Sequence, residues 1–376
     1  MKPWVLIAGD FTPLGGMDRA NHALAASLAA SGDAEVHLVG HRVWPDLAGH
    51  SSVHVHRVRR PFGAHLLGAP RLASEGERIA RPYRAEGRIV ANGGNADTGD
   101  VTWVHYLHAA HAPRASGLRQ RVQAPATHRY YLVRERRALS RARVIVCNSQ
   151  RTSRDVREHL GIDSSRVRVV YYGSDAASFA PVTPAERMSA RQALGWPLDR
   201  PMVVFIGALG DRRKGFDKLF EAWEHLCQDR AWEGELAVVG TGSELDTWRR
   251  RAAHARLDGR TRFLGFREDV PSILAASDLL VHPARYEAYG LGVHEAICRG
   301  VPAIVSGAAG IAELYPEDLR DLLITNVEDA REIADRIHRW RWVADATAVR
   351  LRPFSERLRS RSWREMSTEF VRVVES

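Results

Sequence analysis

Two carboxylates stand eight positions apart in RYEAYGLGVHEA, residues 285–296, with Glu287 before a Gly-x-Gly turn and Glu295 just after it. The apolar run LLVHPA upstream predicts a short buried strand from Asp278 to Pro283, and the glycines then open a helix expected from about Gly292 to Arg299. A strand, a tight glycine turn and a helix N-terminus together offer backbone N–H groups and a positive dipole end to an anion. Glu287 at the strand end and Glu295 in the first turn of that helix would face one crevice. A Glu in a first turn also serves simply as a dipole or capping residue, and this stretch alone leaves both readings open. A weaker signal of the same kind opens the chain, where Gly15 and Gly16 follow WVLIAGD and lead into a long helical pattern. Two glycines there fit turn chemistry as well as an anion cradle. VTWVHYLHAAH sets His105, His108 and His111 at the end of another apolar run, where a histidine either serves a site or satisfies nearby backbone.

These residues need a scaffold, and the chain supplies one in two halves. At 376 residues two domains of ordinary size are expected. WVLIAG, EVHLVG, VHVHRV, VTWVHYL, RVIVCN and VRVVYY alternate with helical patterns, and MVVFIG, ELAVVG, DLLVHP, VPAIVS and DLLIT follow after a break. Such alternation implies parallel sheets with helices on both faces, an α/β fold of two Rossmann-like halves. The break is residues 176–201, with four prolines, read as a linker plus one helix of the second half. Domains are expected at 1–180 and 181–360, with SWREMSTEFVRVVE as a terminal helix, 361–376, returning to the first. Ligands of such sheets sit at the C-terminal strand ends, so the default site is a central cleft faced by both halves. Residues 59–100 present no readable pattern.

The composition is that of a globular chain, 45% hydrophobic and 26% charged, with no apolar run near the ~18 residues of a membrane-spanning helix. WVLIAG is too short for a signal peptide, and Cys147, Cys227 and Cys298 are too few and too scattered for a disulfide framework or a metal motif. The expected location is the cytoplasm, including the inner face of its membrane. Residues 1–180 carry 25 Lys and Arg against 15 Asp and Glu, so the whole net charge of +9 resides in the first half. Its densest part, Arg114 to Arg143, holds nine arginines and one acid, Glu135. A solvated basic face, an anionic membrane surface, an acidic substrate and nucleic acid compete for that charge. The 51 arginines against three lysines weaken any argument from arginine number.

Several stretches, taken in order, resemble the retaining glycosyltransferases of the GT-B fold, specifically glycosyltransferase family 4. Residues 15–32 resemble its GG…R…LA..LA..G opening, ARVIVCNSQRTSRDVREHLGI its strand-Ser-helix segment, and VRVVYYGSDAASFAP its crossover. FIGALGDRRKGFDKLFEAW resembles its phosphate-binding turn, and ELAVVGTG, RTRFLGFREDV and RYEAYGLGVHEAICRGVPAIVSGAAGIAEL complete the set over most of residues 4–315. The E-x7-E spacing is the most specific part. The resemblance implies that Glu287 lies near the transferred sugar and the leaving diphosphate, and that Glu295 binds the ribose hydroxyls. Gly290, Leu291 and Gly292 would bring backbone close to phosphate and sugar, with Gly310 at a related turn that is equally an ordinary helix start. Gly15 and Gly16 belong to the donor-binding set on the same ground. Lys214, one of only three lysines, falls on the Lys-Gly of the phosphate turn, where a compact point charge is wanted. Ala208 replaces an arginine frequent in the family, and Arg212 or Arg213 is expected to supply that charge. YYGSD replaces NGVD at the crossover. A family histidine near the reacting sugar corresponds to His105, with His108 as the alternative.

The reaction so implied moves a sugar from a nucleotide-diphosphate-sugar to a hydroxyl of a carbohydrate, lipid-linked or phosphorylated acceptor, in cell-surface glycan or glycolipid synthesis. The anomeric configuration is retained, and the main task is neutralising charge on the departing phosphate. No metal or other cofactor is expected, and the chain contains no Asp-x-Asp. A sugar-nucleotide epimerase or sugar phosphorylase on the same fold competes with this reading. A glycosidase pair at Glu287 and Glu295 leaves the Lys214 turn unexplained. Nucleic-acid binding finds no motif among the arginines beside Tyr130 and Tyr131.

Overall fold

The computed structural model describes residues 2–376 except 62–64, 86, 113–117 and 211, and omits the side chains of 65 and 118–124. Arg114 and the side chains of Arg119 and Arg121, part of the arginine-rich stretch, therefore lie outside the described residues. The chain divides into two compact units: the first comprises residues to Ala112, Val122–Gly173 and Arg361–Ser376, and the second Ser174–Ser360. The passage to the second unit thus falls at 173/174, ahead of the expected 180/181. The reason is local: strand pairing ends at Val169, and Asp175 already caps a turn through Ala177 N and Ser178 N.

The first unit is built on seven strands: β1 (Lys2–Ile7), β2 (Ala34–Gly40), β3 (Val53–Arg57), β4 (Arg88–Asn92), β5 (Val101–Val104), β6 (Val144–Cys147) and β7 (Val167–Val169). Their order across the sheet is β3-β2-β1-β4-β5-β6-β7, every pair parallel. Covered on both faces, the central strands are continuous apolar runs rather than alternating ones. Val5, Ile7, Val39, Ile89 and Ala91 form one buried layer with Leu72 and Ala80 of the helix His65–Ala80. The terminal helix Trp363–Glu375, started by a Ser362/Glu365 capping box, packs on this unit. Phe370 meets Trp103 with ring centres 4.6 Å apart, and Glu375 pairs with Lys2 and Arg88.

The second unit holds β8 (Met202–Ile206), β9 (Glu235–Val239), β10 (Thr261–Gly265), β11 (Leu279–His282), β12 (Ala303–Ser306) and β13 (Leu323–Ile324). They are ordered β10-β9-β8-β11-β12-β13, again all parallel. The helix expected within the proline-rich break spans Pro184–Leu194 and is capped by Thr183. In each sheet the chain winds outward from its first strand and then returns to that strand's other side, so the order reverses between β1 and β4 and between β8 and β11. At such a reversal the loops leaving the two strand ends part and leave a crevice, the usual ligand position of an open α/β sheet.

Candidate active site

In the second unit the crevice lies beyond Ile206 of β8 and His282 of β11. The turn after β8 carries Arg212, Arg213 and Lys214 and closes at Gly215, whose N–H bonds the Arg212 carbonyl at 3.1 Å. Gly215 is the N-cap of the helix Phe216–Leu226, at φ 73°. A Cβ there would lie 1.9 Å from the Pro283 carbonyl oxygen, so only glycine lets this turn press against the end of β11. Arg285, with only 7% of its side chain exposed, clamps the turn from below. It takes the Arg212 carbonyl at 2.6 Å, Asp217 in a two-pronged pair at 2.7 and 2.8 Å, and Glu328 in another.

This clamped turn delivers Lys214 to Glu287. The Lys214 ammonium bonds Glu287 Oε2, which also accepts from His282 Nε2 at 2.9 Å. The side chains of Lys214 and Glu287 are 17% and 12% exposed. Burial alone would raise the Glu287 carboxyl, but Lys214, the His282 hydrogen bond and Arg213 hold it well below the usual carboxylate range. Burial keeps His282 below the ordinary imidazole value, so it donates as a neutral ring. Arg212 and Arg213 point to different partners. Arg212 Nε reaches Glu244 at 3.2 Å, whereas Arg213 donates to the Tyr286 carbonyl at 3.2 Å and acts on Glu287 and His282.

The glycine turn after β11 ends at Gly290, φ 110°, the N-cap of the helix Leu291–Cys298. The first intrahelical donors to Gly290 are Val293 and His294, leaving the Leu291 and Gly292 amides without an acceptor inside the helix. Around Gly292 there is open space, since a Cβ would meet nothing within 4 Å. The helix starts one residue earlier than expected, which puts Glu295 fifth along it rather than in its first turn. That position is too deep to cap, so the capping reading of this buried acid falls away. The turn is pinned by Tyr289 OH on His294 Nδ1 at 2.7 Å and by two backbone bonds from the loop after β12, Gly310 N to the Glu287 carbonyl and Ile311 N to that of Tyr289. The Gly310 amide is thus engaged in holding the Glu287 loop, at the start of a short 3-10 helix.

In the first unit the crevice between β1 and β4 opens a cavity of about 400 Å³, lined among others by Gly9, His41, Asn92, His105, His108 and Glu135. His105 follows β5 and is 8% exposed. Its Nδ1 meets the Tyr172 hydroxyl, which also accepts from Asn148 Nδ2 at 3.2 Å. Its Nε2 is buried and has no hydrogen-bond partner, and the residue lines the cavity. Burial lowers the imidazole to about 3, so the ring is neutral. His108 stacks on Tyr131, ring centres 4.9 Å apart, and Glu135 accepts the His108 and Ala109 amides at 2.8 and 2.9 Å. Gly15 is the N-cap of the helix Gly16–Ala30, at φ 79°, with Asp18 in the first turn. Met17 from that turn lines the cavity.

Lys214, Arg213, Glu287, Gly290, Leu291 and Gly292 are therefore gathered at one strand-end crevice, and His105 and His108 at another cavity wall, while Arg212 turns to Glu244. Sequence reasoning missed His282, Arg285, Tyr172, Asn148 and the cavity role of Glu135. His282 alone carried a local signal, a histidine at a strand end five residues before a glutamate.

The chain matches the model of glycosyl transferases group 1 over residues 186–341 and that of Glycosyltransferase Family 4 over residues 14–178. It is 28% identical to a D-inositol 3-phosphate glycosyltransferase of Corynebacterium aurimucosum over 249 residues, 64% of this chain and 58% of that protein. The chain thus spans less than two thirds of the length of the curated relatives it matches. Among solved structures, sucrose-phosphate synthase from Thermosynechococcus elongatus superposes with a TM-score of 0.78 at 19% identity, over 100% of this chain and 98% of that one. Anabaena HepE in complex with UDP and glucose superposes at 0.72 and 19%, over 100% of both chains. With the two family models joined end to end over a pair of Rossmann-like units, the chain belongs to the GT-B glycosyltransferases of family 4.

Proposed function

We propose that the protein transfers a sugar from a nucleotide-diphosphate-sugar to a hydroxyl acceptor with retention of anomeric configuration, using side chains and backbone dipoles rather than a metal. The observation that carries this is the cluster at the second unit's switch point: Lys214 held on Glu287, Arg213 beside it, and the unused Leu291 and Gly292 amides at a helix N-terminus. A diphosphate placed there meets two cations and two directed N–H groups in a water-poor crevice, where each counts for more than in bulk solvent. In this reading the bond from the anomeric carbon to the β-phosphate oxygen breaks as the acceptor hydroxyl adds on the same face. The hydroxyl proton passes to the departing phosphate oxygen. Lys214 and Arg213 stabilise the charge that develops there, Glu295 binds the ribose, and Glu287 orients Lys214 next to the sugar.

The acceptor is a carbohydrate, either free, lipid-linked or phosphorylated, and the reading places the protein in glycan or glycolipid synthesis. An anionic membrane surface as a further partner rests on the charge of residues 1–180 alone. Four arginines of the rich stretch have internal tasks: Arg134 on the Gly94 carbonyl, Arg137 and Arg141 on Asp97, and Arg143 on Asp100. Among the described residues no helix is long and apolar enough to cross a membrane. Binding to anionic vesicles no tighter than to neutral ones removes the surface proposal. For the reaction, a panel of nucleotide sugars in excess EDTA is assayed for release of nucleoside diphosphate, and the product's anomeric configuration is read by NMR. Metal-free release with retention supports the proposal; inversion, or release only on adding a divalent ion, overturns it.

A further inference from the structure

Away from both crevices, the outer edge of the first sheet carries a cluster of imidazoles with a carboxylate. β2 and β3 pair in parallel with His37 opposite His54 and Val39 opposite His56. Because side chains alternate along a strand, Glu35 and His37 of β2 share one face with His54 and His56 of β3. This face continues the buried layer of Val5, Ile7 and Val39, and Tyr83 covers His37 with ring centres 4.6 Å apart. Glu35 Oε1 lies 3.4 Å from His37 Nε2 and 3.1 Å from His54 Nε2, and ligand atoms of these three residues all fall within 4.8 Å of one another. His37 is 6% exposed, and its Nε2 makes no hydrogen bond. On its other side, His37 Nδ1 meets His56 Nε2 at 3.1 Å, the outer-shell partner that fixes a ligating ring.

We propose that Glu35, His37 and His54 form a zinc site that ties the edge strand β3 to β2. Two imidazoles and one carboxylate are a donor set that suits zinc. At metal–ligand distances of about 2.0–2.1 Å, the edges of a zinc tetrahedron are about 3.3–3.4 Å, close to the spacings already present around Glu35. A solvent molecule completes the four ligands on the exposed His54 side. The role is structural: a bound ion pins the strand that would otherwise leave an open, unpaired edge and from which the chain runs on to the cavity-lining helix His65–Ala80. The site is independent of the proposed transfer reaction.

The test uses the full chain after EDTA treatment and gel filtration, titrated with zinc ion by calorimetry and followed by thermal unfolding. One equivalent should bind and raise the unfolding temperature. The exposed His54→Ala should lower zinc affinity at least tenfold and abolish the thermal shift while leaving the metal-free unfolding temperature unchanged. Glu35→Gln should weaken binding in the same direction, a second variant that does not touch the buried ring. Cobalt substitution should give the intense visible bands of a tetrahedral site in the wild type and not in His54→Ala. No binding by the wild type, or binding equally tight in His54→Ala, overturns the proposal.

Discussion

Replacing Lys214 with alanine separates what its ion pair does for the fold from what it does for the reaction. Lys214 and Glu287 are both largely buried, and removing one partner of such a pair costs about 3–5 kcal/mol because the other charge is left uncompensated. His282 and Arg213 still face the carboxylate, so the loss should lie at the lower end, about 3 kcal/mol at pH 7. Glu287 is depressed in the folded state, so its contribution is present above the ordinary value of 4.5 and fades as pH falls through the lower folded value. The deficit of Lys214→Ala should therefore be largest at neutral pH and shrink on acidification below about 4.5. Lys214→Ala/Glu287→Gln removes both charges and should recover at least half the lost stability. Activity should not recover: losing one charge-stabilising donor costs about 10²–10³-fold in kcat. The assays are denaturant unfolding at neutral and acid pH and kcat for the three proteins. A double variant no more stable than the single, or a single variant as stable as the wild type at pH 7, refutes the coupling.

Tyr172→Phe removes the hydroxyl bonded to His105 Nδ1, so the Nδ1 resonance should shift in nitrogen NMR, with kcat about tenfold lower and an unchanged donor KM; an unmoved resonance contradicts the contact. Gly215→Ala must place a Cβ 1.9 Å from the Pro283 carbonyl at φ 73°, and should destabilise the second unit by about 3 kcal/mol or more. Gly292→Ala meets nothing within 4 Å, so stability should hold while nucleotide affinity falls tenfold or more; unchanged affinity would show that no ligand approaches there. Glu135 is raised to about 7 mainly by burial, so its contribution is complete below about 4.5 and lost as pH rises through 7. Glu135→Gln should flatten that stretch of the stability profile, and a profile identical to the wild type contradicts the raised value.

The alternation of apolar runs made both sheets legible because buried parallel strands advertise themselves as unbroken Val/Ile/Leu stretches. β4 escaped notice: Arg88–Asn92 is short, begins with a charge and runs straight into Asn-Gly-Gly, yet it is the strand that creates the first unit's switch point. The helix His65–Ala80 contains Pro70 and was equally silent. At the site, Lys214 and Glu287 were legible from residue type and motif spacing, but their mutual contact was not, since 73 positions separate them. Arg285 looked like one arginine among 51 until the fold set it against the turn after β8. Arg212 and Arg213 were indistinguishable in sequence because their partners, Glu244 and the Tyr286 carbonyl, lie 32 and 73 positions away along the chain. Tyr172 sat in YYGSD, where the chain departs from the family pattern, and its contact with His105 spans 67 positions.

The central claim is that a nucleoside diphosphate binds the second unit through Lys214, the Gly290–Gly292 turn and Glu295 without a metal. Calorimetric titration of the purified chain with UDP, GDP and ADP in excess EDTA tests it most directly, with Lys214→Ala and Glu295→Ala as companions. One of the three nucleotides should bind at a single site. Loss of a charged hydrogen bond in either variant should weaken it about 10–100-fold. Absence of binding by all three, or binding equally tight in both variants, would contradict the account.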